Sequence, residues 1–393
     1  MAFILPVLHL LKEPKKEGFR AIVVSPTREL ATQIHREFTK IGGKFWKICL
    51  MTKATMNNYK ITGQSAQNFD ILVTTPMRLV HIVNSGTVKL TSVQQLIFDE
   101  ADRLFDEGFL EQVDTIIAAC ANPALKVSLF SATMLPAVEH LAKSIQKDPI
   151  KIIVGLKNTP TDTIDQKLVF VGNELGKLLY IRGMISEGKF HPPVLIFVQS
   201  KERAQQLFRE FVYDGINVGV IHADRSQAQR DLTVEKFRTG EIWVLITTDL
   251  MARGMDFKNV NLVINFDFPA SITTYIHRIG RTGRAGKKGH AITFYTEEDY
   301  VLLRSIATVM QASGCKDIPE WILGSLDKID KRVRKLLEVK PVKRASVGPK
   351  GKGAEYLKYN KKKAKKQKKG EKAEQEGEPV EEEANNDNED QEE

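Results

Sequence analysis

Two adjacent carboxylates follow a short apolar run in the first third of the sequence. Leu96, Ile97 and Phe98 lead directly into Asp99 and Glu100. Such a run predicts a strand buried on both faces, and its end places the carboxylates at the carboxyl edge of a parallel sheet, where α/β proteins bind ligands. There Asp99 could hold a magnesium ion through its water shell, and Glu100 could polarise an attacking water. An acidic turn that caps a helix is the alternative interpretation.

Arg281 and Arg284 form a second candidate site, in a segment with glycines at positions 280 and 283. Because glycine accepts backbone conformations that other residues avoid, the chain can bend there and present both guanidinium groups on one side. Arginine is always charged and binds phosphate oxygens with two parallel hydrogen bonds, which suits the charge of a transferring phosphoryl group. A basic loop that contacts RNA is the alternative interpretation.

The elements that would position these residues repeat in the two halves of the chain. Short apolar runs alternate with segments of helical period, such as residues 28–41, where Leu30, Ile34 and Phe38 share one face. This alternation predicts parallel, doubly wound sheets with helices on both faces. The expected strands are Ala21–Val24, Ile48–Met51, Ile71–Val73, Leu96–Phe98, Val127–Phe130, Ile150–Val154, Lys167–Val171, Val194–Val198, Val218–Ile221, Trp243–Thr247, Leu262–Asn265 and Ala291–Tyr295.

We therefore predict an α/β protein with two tandem domains. The first domain covers residues 1–155, a polar, proline-containing linker covers 156–163, and the second domain covers 164–325. Residues 326–393 form a tail that is lysine-rich first and acidic afterwards. Such a composition cannot bury enough apolar surface to offset the entropy of ordering, so we expect the tail to be largely disordered beyond about residue 340.

The net charge of +9 conceals an uneven distribution. Residues 371–393 hold 12 acidic side chains and one lysine, so residues 1–370 carry 57 basic against 37 acidic residues, a net charge of +20. This excess favours a polyanionic partner, with nucleic acid the first candidate, although solvated surface lysines would give the same composition.

The sequence indicates no membrane association and no cysteine-based metal site. No apolar run reaches the roughly 20 residues that span a bilayer. The opening stretch is interpreted as a core helix with Phe3, Val7 and Leu10 on one face, rather than as a signal peptide. Three widely separated cysteines are typical of buried thiols in a reducing compartment.

The segment Asp99-Glu100-Ala101-Asp102 resembles the motif that gives the DEAD-box RNA helicases of superfamily 2 their name. Other segments resemble the remaining motifs of that family and follow in its order, over roughly residues 1–325. They are Pro26-Thr27-Arg28-Glu29-Leu30, Thr75-Pro76-Met77-Arg78-Leu79, Ser131-Ala132-Thr133, Leu195-Ile196-Phe197-Val198, Gln227-x-x-Arg230, Thr248-Asp249 with Ala252-Arg253-Gly254-Met255-Asp256, and His277-Arg278-Ile279-Gly280-Arg281-Thr282-Gly283-Arg284.

The resemblance implies two RecA-like domains and an RNA-stimulated ATPase that separates short RNA duplexes, with ATP and Mg²⁺ as cofactors. By motif, the catalytic residues would be Asp99, Glu100, Ala101, Asp102, His277, Arg281 and Arg284. Asp256 and the two arginines would bind ATP, Asp99 would hold Mg²⁺ through water, and His277 would position the attacking water. Residues Ser131, Ala132 and Thr133 would couple nucleotide to RNA, with the two hydroxyls on Asp99 and Asp102. The RNA-binding set would be Pro26, Thr27, Arg28, Thr75, Pro76, Arg78, Gln227, Arg230 and Thr248.

The sequence also departs from the family pattern. Met77 replaces a glycine, and the Gly-Gly motif of the family has no clear counterpart near Thr52–Thr62. No G-x-x-x-x-G-K-[ST] run occurs, nor does the adenine-reading motif that precedes it in the family. We therefore expect a first domain that is incomplete at its N-terminus, with Met1 an alternative start, a splice product or the start of a truncated gene model. A non-catalytic RNA-binding or regulatory fragment is the competing hypothesis, and a DNA translocase of the same superfamily is a third.

Within the family, the chain resembles the subgroup that processes pre-ribosomal RNA. That resemblance implies pre-ribosomal RNA as the bound RNA, pre-ribosomal proteins as partners, and a monomeric protein. The seven lysines within residues 361–369, together with the resemblance, favour the nucleus and nucleolus as the location.

Overall fold

The computed structural model describes residues 2–55, 68–105, 108–134, 136–155, 158–249, 257, 260–284, 286–324, 342 and 344–347. These residues build two separate parallel sheets, one in each half of the chain, with helices in the connections between strands. The predicted α/β class with two tandem, parallel, doubly wound domains is therefore confirmed. Among the described residues, no helix combines the length and the hydropathy needed to cross a membrane.

The first sheet has five strands, in the order β2 (Ile48–Leu50), β3 (Ile71–Thr74), β1 (Ala21–Val24), β4 (Gln95–Asp99) and β5 (Lys126–Phe130), and all of its strand pairs are parallel. Strand β1 is central and buried along its whole length, as its continuous apolar sequence predicts. In chain order the elements are α1 (Ile4–Leu11), β1 (Ala21–Val24), α2 (Arg28–Gly42), β2 (Ile48–Leu50), β3 (Ile71–Thr74), α3 (Pro76–Asn84), β4 (Gln95–Asp99), α4 (Ala101–Leu104), α5 (Leu110–Ala119), β5 (Lys126–Phe130) and α6 (Pro136–Ile145).

Helix α1 packs in the first domain, although its buried face differs from the predicted one. Ile4, Val7 and Leu11 are buried, whereas Leu10 is 47% exposed. The predicted face was wrong at Leu10 because the helix begins only at residue 4 and its stripe runs through positions 4, 7 and 11. The buried pair of Arg20 and Asp70, 2.7 Å apart, helps to fix the end of this helix, since Arg20 also donates to the Leu11 carbonyl at 3.2 Å.

One margin of the first sheet differs from the prediction. Strand β5 is an edge strand whose residues remain partly exposed. The segment 150–154, predicted to be a strand, forms none, and Ile150, Ile152 and Val154 are 83–94% exposed. That prediction was wrong because a strand requires a hydrogen-bonding neighbour, and the described residues place none beside this segment.

The second sheet has six parallel strands in the order β6-β11-β10-β7-β9-β8. Strands β7 and β10 are buried at every residue. In chain order the elements are β6 (Ile164–Phe170), α7 (Glu174–Ser186), β7 (Val194–Val198), α8 (Lys201–Tyr213), β8 (Val218–Ile221), α9 (Gln227–Thr239), β9 (Val244–Thr248), β10 (Leu262–Asn265), α10 (Ile272–Ile279), β11 (Gly289–Tyr295), a 3₁₀ turn (Glu297–Asp299), α11 (Tyr300–Ala312) and α12 (Glu320–Gly324).

A short part of the predicted tail is ordered against the second domain. Val347 is 5% exposed and belongs to a core cluster that includes Leu178 and Leu207, and its amide donates to Gln206 Oε1 at 2.9 Å. At residues 342 and 344–347 the structure therefore differs from the expected disorder, because this stretch brings one apolar side chain and one arginine to complementary pockets. The rest of residues 325–393 lies outside the described residues.

Candidate functional site

The carboxyl edge of the first sheet presents the expected carboxylates. Strand β4 ends at Asp99, and Glu100 takes the left-handed conformation with φ of 51°, while its amide donates to Asp99 Oδ1 at 3.0 Å. A residue other than glycine is strained in this conformation, and such strain is concentrated at functional sites. Burial, and then the charge of Glu100, raise the pKa of Asp99 to about 6. The ion pairs of the described residues include neither carboxylate, and two crowded carboxylates of this kind suit the binding of a cation.

Asp102 connects three separate parts of the chain. Its Oδ2 accepts from the Thr133 hydroxyl at 2.5 Å and lies 2.7 Å from His277 Nε2, which belongs to the second domain. Ser131 Oγ accepts from the Asp102 amide at 3.4 Å. Burial alone would raise the pKa of Asp102, but the hydrogen bond from His277, its charge and the two hydroxyls lower the pKa to about 2. One ionised carboxylate thus joins the two domains.

The hydroxyls of Ser131 and Thr133 were expected to divide between Asp99 and Asp102. Among the described contacts, both hydroxyl groups are instead hydrogen-bonded to Asp102, Ser131 with its amide and Thr133 with its carboxylate. The Ser131 hydroxyl also donates to the Thr133 carbonyl at 2.7 Å. The reason is that strand β5 pairs Phe130 with Asp99, so the residues beyond it run past the strand end toward the helix that carries Asp102. Ala132 lies exposed between the two hydroxyl residues, whereas Ala101 is fully buried beneath the carboxylates.

Helix α10 and the turn after it carry His277, Arg281 and Arg284. Ser271 caps the helix, because its Oγ accepts from the Thr274 amide at 3.1 Å. Arg281 is 8% exposed and donates to the His277 carbonyl at 3.1 Å, while the exposed Arg284 donates to the Gly280 carbonyl at 2.8 Å. The structure thus brings His277 to the first domain and holds the two arginines against the end of their own helix.

The expected RNA residues of the first domain follow two neighbouring strands. Thr27 and Thr75 come after β1 and β3, which pair in register at Val24 and Thr74. Thr27 uses its hydroxyl to cap α2, where it accepts from the Leu30 amide at 3.3 Å. Pro26 lies before this cap, and Pro76 is buried at the start of α3.

Arg28 and Arg78 lie close enough together to influence each other. Burial, and then the positive charge of Arg28, lower the pKa of Arg78, whose Nη1 donates to the Met51 carbonyl. Arg28 itself is exposed. Two guanidinium groups that repel each other at one sheet edge are typical of a surface that binds a polyanion. Met77, which replaces the family glycine, is 60% exposed beside them.

The expected RNA residues of the second domain have a second role in the structure. Gln227 and Arg230 lie in the first turn of α9 and contact each other, and Gln227 also donates to Asp231 at 3.0 Å. Arg230 Nη2 lies 3.2 Å from Glu29 of the first domain, and both side chains are only 12–13% exposed. Thr248 ends strand β9, half-buried. Arg230 therefore forms an ion pair between the domains, in addition to the predicted role in binding RNA.

The sequence interpretation did not assign roles to Glu29, Asp249 and Arg278. Arg278 Nε and Nη2 bind the Asp249 carboxylate at 2.5 and 2.8 Å, and Arg278 Nη1 donates to the Asp267 carbonyl at 2.7 Å. This pair ties helix α10 to the end of strand β9. The available signal was motif membership, because all three residues lie within the segments that resemble family motifs.

Asp256, predicted to contact ATP, lies outside the described residues, as do the other residues from 250 to 255. Within the part of the chain that the structure describes, no group of three or more His, Cys, Asp or Glu residues could hold a metal ion.

Comparison with known proteins is consistent with this geometry. Residues 1–141 match the family model described as DEAD/DEAH box helicase, and residues 175–286 match the one described as Helicase conserved C-terminal domain. The structure of Dbp5 from S. cerevisiae bound to RNA and ADP BeF3 resembles this fold with a TM-score of 0.69 and 28% identity, over 86% of this chain and 85% of that one.

Among relatives, the probable ATP-dependent RNA helicase ddx52 of Dictyostelium discoideum is 51% identical over 88% of this chain and 51% of its own length. DDX52 of Mus musculus is 50% identical over 88% of this chain and 58% of its length, and the ATP-dependent RNA helicase ROK1 of Lodderomyces elongisporus is 48% identical over 88% and 64%.

The chain belongs to the DEAD-box helicase family, in which it falls into the DDX52/ROK1 subgroup. The family resemblance seen in the sequence is thus confirmed. The chain spans between about half and two thirds of the length of these curated relatives.

Proposed function

We propose that this chain works as the core of an ATP-dependent RNA helicase, an RNA-stimulated ATPase that separates short RNA duplexes. The observation that carries the proposal is the contact of His277 with Asp102, 2.7 Å apart, which joins the two domains at the carboxylates of the first sheet. A site divided in this way can be complete only when the domains meet. Domain closure can therefore couple RNA binding to hydrolysis.

The described carboxylates fit a magnesium ion that accompanies ATP. Glu100 Oε2 is buried without a hydrogen-bond partner among the described residues, and carboxylate oxygens are ligands that Mg²⁺ prefers. Asp99 would hold the ion through its water shell. When bound, the ion would neutralise part of the negative charge of the phosphates. Glu100 would polarise the attacking water, and Arg281 and Arg284 would stabilise charge on the transferring phosphoryl group.

The RNA would lie along the carboxyl edges of both sheets. Arg28, Arg78 and the helix starts beside Thr27 and Thr75 supply cations and backbone amides on the first domain. Gln227 and Thr248 would contribute from the second. Such groups contact phosphates and 2′-hydroxyls and do not read base edges, so we expect binding that is nearly indifferent to base sequence.

A non-catalytic, RNA-binding or regulatory fragment is the second candidate function. It concerns the 393 residues taken by themselves, which contain no G-x-x-x-x-G-K-[ST] run. That loop supplies backbone amides, a lysine and a hydroxyl to the phosphates of ATP in phosphate-loop enzymes. The remaining groups would then have no fixed phosphate on which to act.

We further propose pre-ribosomal RNA as the substrate, pre-ribosomal proteins as partners, a monomeric state, and the nucleus and nucleolus as the location. The support is membership of the DDX52/ROK1 subgroup and the lysine tract at residues 361–369. Imaging of the tagged chain together with a nucleolar marker tests the location. Sequencing of RNA crosslinked to the tagged chain tests the substrate, and predominantly messenger RNA would contradict the proposal.

Phosphate release and RNA affinity separate the two candidate functions. Two chains are compared: residues 1–393, and a chimera in which Met1 follows the segment that precedes the matched region in the Dictyostelium relative. A helicase core predicts negligible release from residues 1–393 and RNA-stimulated release from the chimera. No release from a folded chimera that binds RNA would favour the regulatory fragment, and robust release from residues 1–393 would contradict our account of the phosphate loop.

The same proteins report on how RNA is held. Affinity for a single strand, measured by fluorescence anisotropy, should fall steeply as salt increases, because phosphate contacts release counterions. Deletion of residues 348–370 should weaken binding and reduce the slope of log affinity against log salt, whereas deletion of 371–393 should tighten binding. An unchanged slope in the first deletion would mean that the lysine tract makes no contact with RNA. A DNA strand of equal sequence tests the translocase alternative.

A further inference from the structure

Six ionisable side chains form a buried charge network at the carboxyl edge of the second sheet. The network consists of Glu174, Lys177, Arg203, Asp267, Asp299 and Arg344. Their side chains are between 0% and 13% exposed. Glu174 and Lys177 lie in the first turn of α7, Arg203 lies in α8, Asp267 follows β10, and Asp299 ends the 3₁₀ turn that follows β11.

The two helical cations share one carboxylate at the centre. Lys177 Nζ lies 3.0 Å from Asp267 Oδ1 and 2.8 Å from Glu174 Oε1. Arg203 binds both oxygens of Asp267 at 2.6 Å and also contacts Glu174. Burial would by itself raise the pKa of Asp267, but Lys177, Arg203 and Arg344 hold it well below its usual range. Glu174, Asp267 and Asp299 together carry three negative charges, of which Lys177 and Arg203 balance two.

Arg344 supplies the missing positive charge. Its Nη2 lies 2.6 Å from Asp299 Oδ1, and its Nε donates to Gln199 Oε1 at 3.1 Å and lies 3.7 Å from Asp267 Oδ1. Among the ion pairs of the described residues, Asp299 has no cationic partner other than Arg344. An unpaired carboxylate at 1% exposure would be strongly unfavourable, so the pocket is built for a guanidinium group.

Residues 342 and 344–347, called the clasp here, make further contacts on either side of this arginine. The Val342 carbonyl accepts from Gln199 Nε2 at 3.0 Å, and the Ala345 carbonyl accepts from Arg203 Nη1 at 2.5 Å. Val347 enters the core cluster between helices α7 and α8. The clasp thus binds through one arginine, one valine three residues later, and backbone carbonyls between and before them.

We propose that this surface is a peptide-recognition site of the second domain, which the chain occupies with its own clasp. Its ligand is a segment with an arginine followed three residues later by a small aliphatic residue. The contacts have the form of ligand recognition, because they join groups 141–145 residues apart in sequence and use charge-assisted and backbone hydrogen bonds. A segment of the same pattern on another protein would compete with the tethered clasp, which acts at high effective concentration.

The site has a direct connection to helix α10. The side chain of Asp267 belongs to the buried charge network, while its main-chain carbonyl accepts from Arg278 Nη1 at 2.7 Å. Arg278 also binds the Asp249 carboxylate. In the sequence it directly follows His277 and lies three residues before Arg281. Loss of the clasp should therefore loosen α10, although the recognition site itself does not depend on the proposed function.

Peptide binding in trans tests the proposal. Chains of residues 1–341 and 1–348 both lack the lysine tract, and only the longer one contains the clasp. A fluorescent peptide of residues 340–349 should bind the shorter chain at least about tenfold more tightly than the longer one, because the tethered clasp of the longer chain competes at high effective concentration. Arg344→Ala in the peptide should weaken binding by at least about tenfold. Ser346→Ala, at an exposed position, should bind like the parent, and a scrambled peptide of equal charge should bind like the Arg344→Ala peptide.

Equal binding to both chains, or by the Arg344→Ala peptide and its parent, would overturn the proposal. If residues 1–341 fail to fold, the full chain provides the second test. Arg344→Gln should speed hydrogen exchange at residues 296–299 and in Ile272–Ile279, whereas Ser346→Ala should leave both unchanged. Unchanged exchange in Arg344→Gln would contradict both the pocket and its connection to α10.

Discussion

A cluster of three carboxylates lies at the carboxyl edge of each sheet, but the surroundings of the two clusters are opposite. Glu174, Asp267 and Asp299 are balanced by three cations. In the first domain, Glu100 Oε2 and Asp102 Oδ1 are buried without hydrogen-bond partners among the described residues. Burial of acidic residues is therefore no guide to function by itself. With the clasp in place the second-domain cluster is balanced within the chain, whereas among the described residues the first-domain cluster keeps carboxylate oxygens without partners, as is typical of a functional site.

The strands at the margins of the two sheets also differ, and the marginal strand of the first sheet is the more exposed one. The first sheet ends in the partly exposed strand β5, and the segment 150–154 beyond it is exposed and forms no strand. Strand β6, at one margin of the second sheet, pairs along all seven of its residues. We therefore expect the second domain to be the more stable of the two, with slower hydrogen exchange in its central strands.

Glu100→Gln, made in the chimera, should have the largest effect and should leave stability unchanged. The rate of RNA-stimulated phosphate release should fall by about 10³-fold, since general base catalysis contributes on this scale. Glu111→Gln, an exposed position in the first turn of α5, is the control and should keep full activity. A large loss of the free energy of unfolding in Glu100→Gln would assign the residue to structure and erase the difference between the two clusters.

In the second domain, Arg203→Met should lower stability, whereas Glu100→Gln in the first domain should lower only activity. It leaves Asp267 and Glu174 with one cation fewer in a buried site, so the free energy of unfolding should decrease by about 3–5 kcal/mol. Urea unfolding can be followed by fluorescence of Trp243 and Trp321, the tryptophans of this domain. The control is Arg182→Met, whose ion pair with Asp214 is 35% exposed on the arginine side and should contribute no more than about 1 kcal/mol. Equal effects of the two variants would contradict the structural role of the network.

Asp99 makes the first domain less stable as pH rises. Because burial and then Glu100 raise its pKa from 3.8 to about 6, the folded protein retains a proton between about pH 4 and 6 that the unfolded chain has released. The free energy of unfolding should therefore decrease across that range, by about 3 kcal/mol. Asp99→Asn should remove this decrease, and Asp114→Asn, at an exposed position, should not. Urea unfolding at three pH values provides the measurement, and equal slopes for both variants would show that Asp99 is not the group responsible.

The success and failure of the sequence interpretation have physical causes. Buried parallel strands are continuous apolar runs, so β7 and β10 could be predicted to the residue. Segment 150–154 has the same composition, but its structure depends on a neighbouring strand, which local sequence does not encode. The DEAD-box carboxylates could be located because they directly follow such a run. The charge network could not, since Glu174 and Arg344 meet across 170 residues of chain without a local pattern.

Loss of the ion pair between Arg230 and Glu29 should have the smallest effect of the changes considered. Variants of the two residues distinguish two roles for Arg230, a contact between the domains and a contact with an RNA phosphate. If it holds the domains together, Arg230→Gln and Glu29→Gln should each weaken RNA binding by about fivefold, which corresponds to about 1 kcal/mol. The double variant should then be no weaker than either single variant, because the pair is already lost. If Arg230 instead contacts a phosphate, its loss should reduce the salt slope by about one charge, whereas Glu29→Gln should keep or increase affinity by removing a negative charge. Anisotropy titrations of the four proteins at several salt concentrations distinguish these outcomes, and additive losses would show that the 3.2 Å contact does not couple the domains in solution.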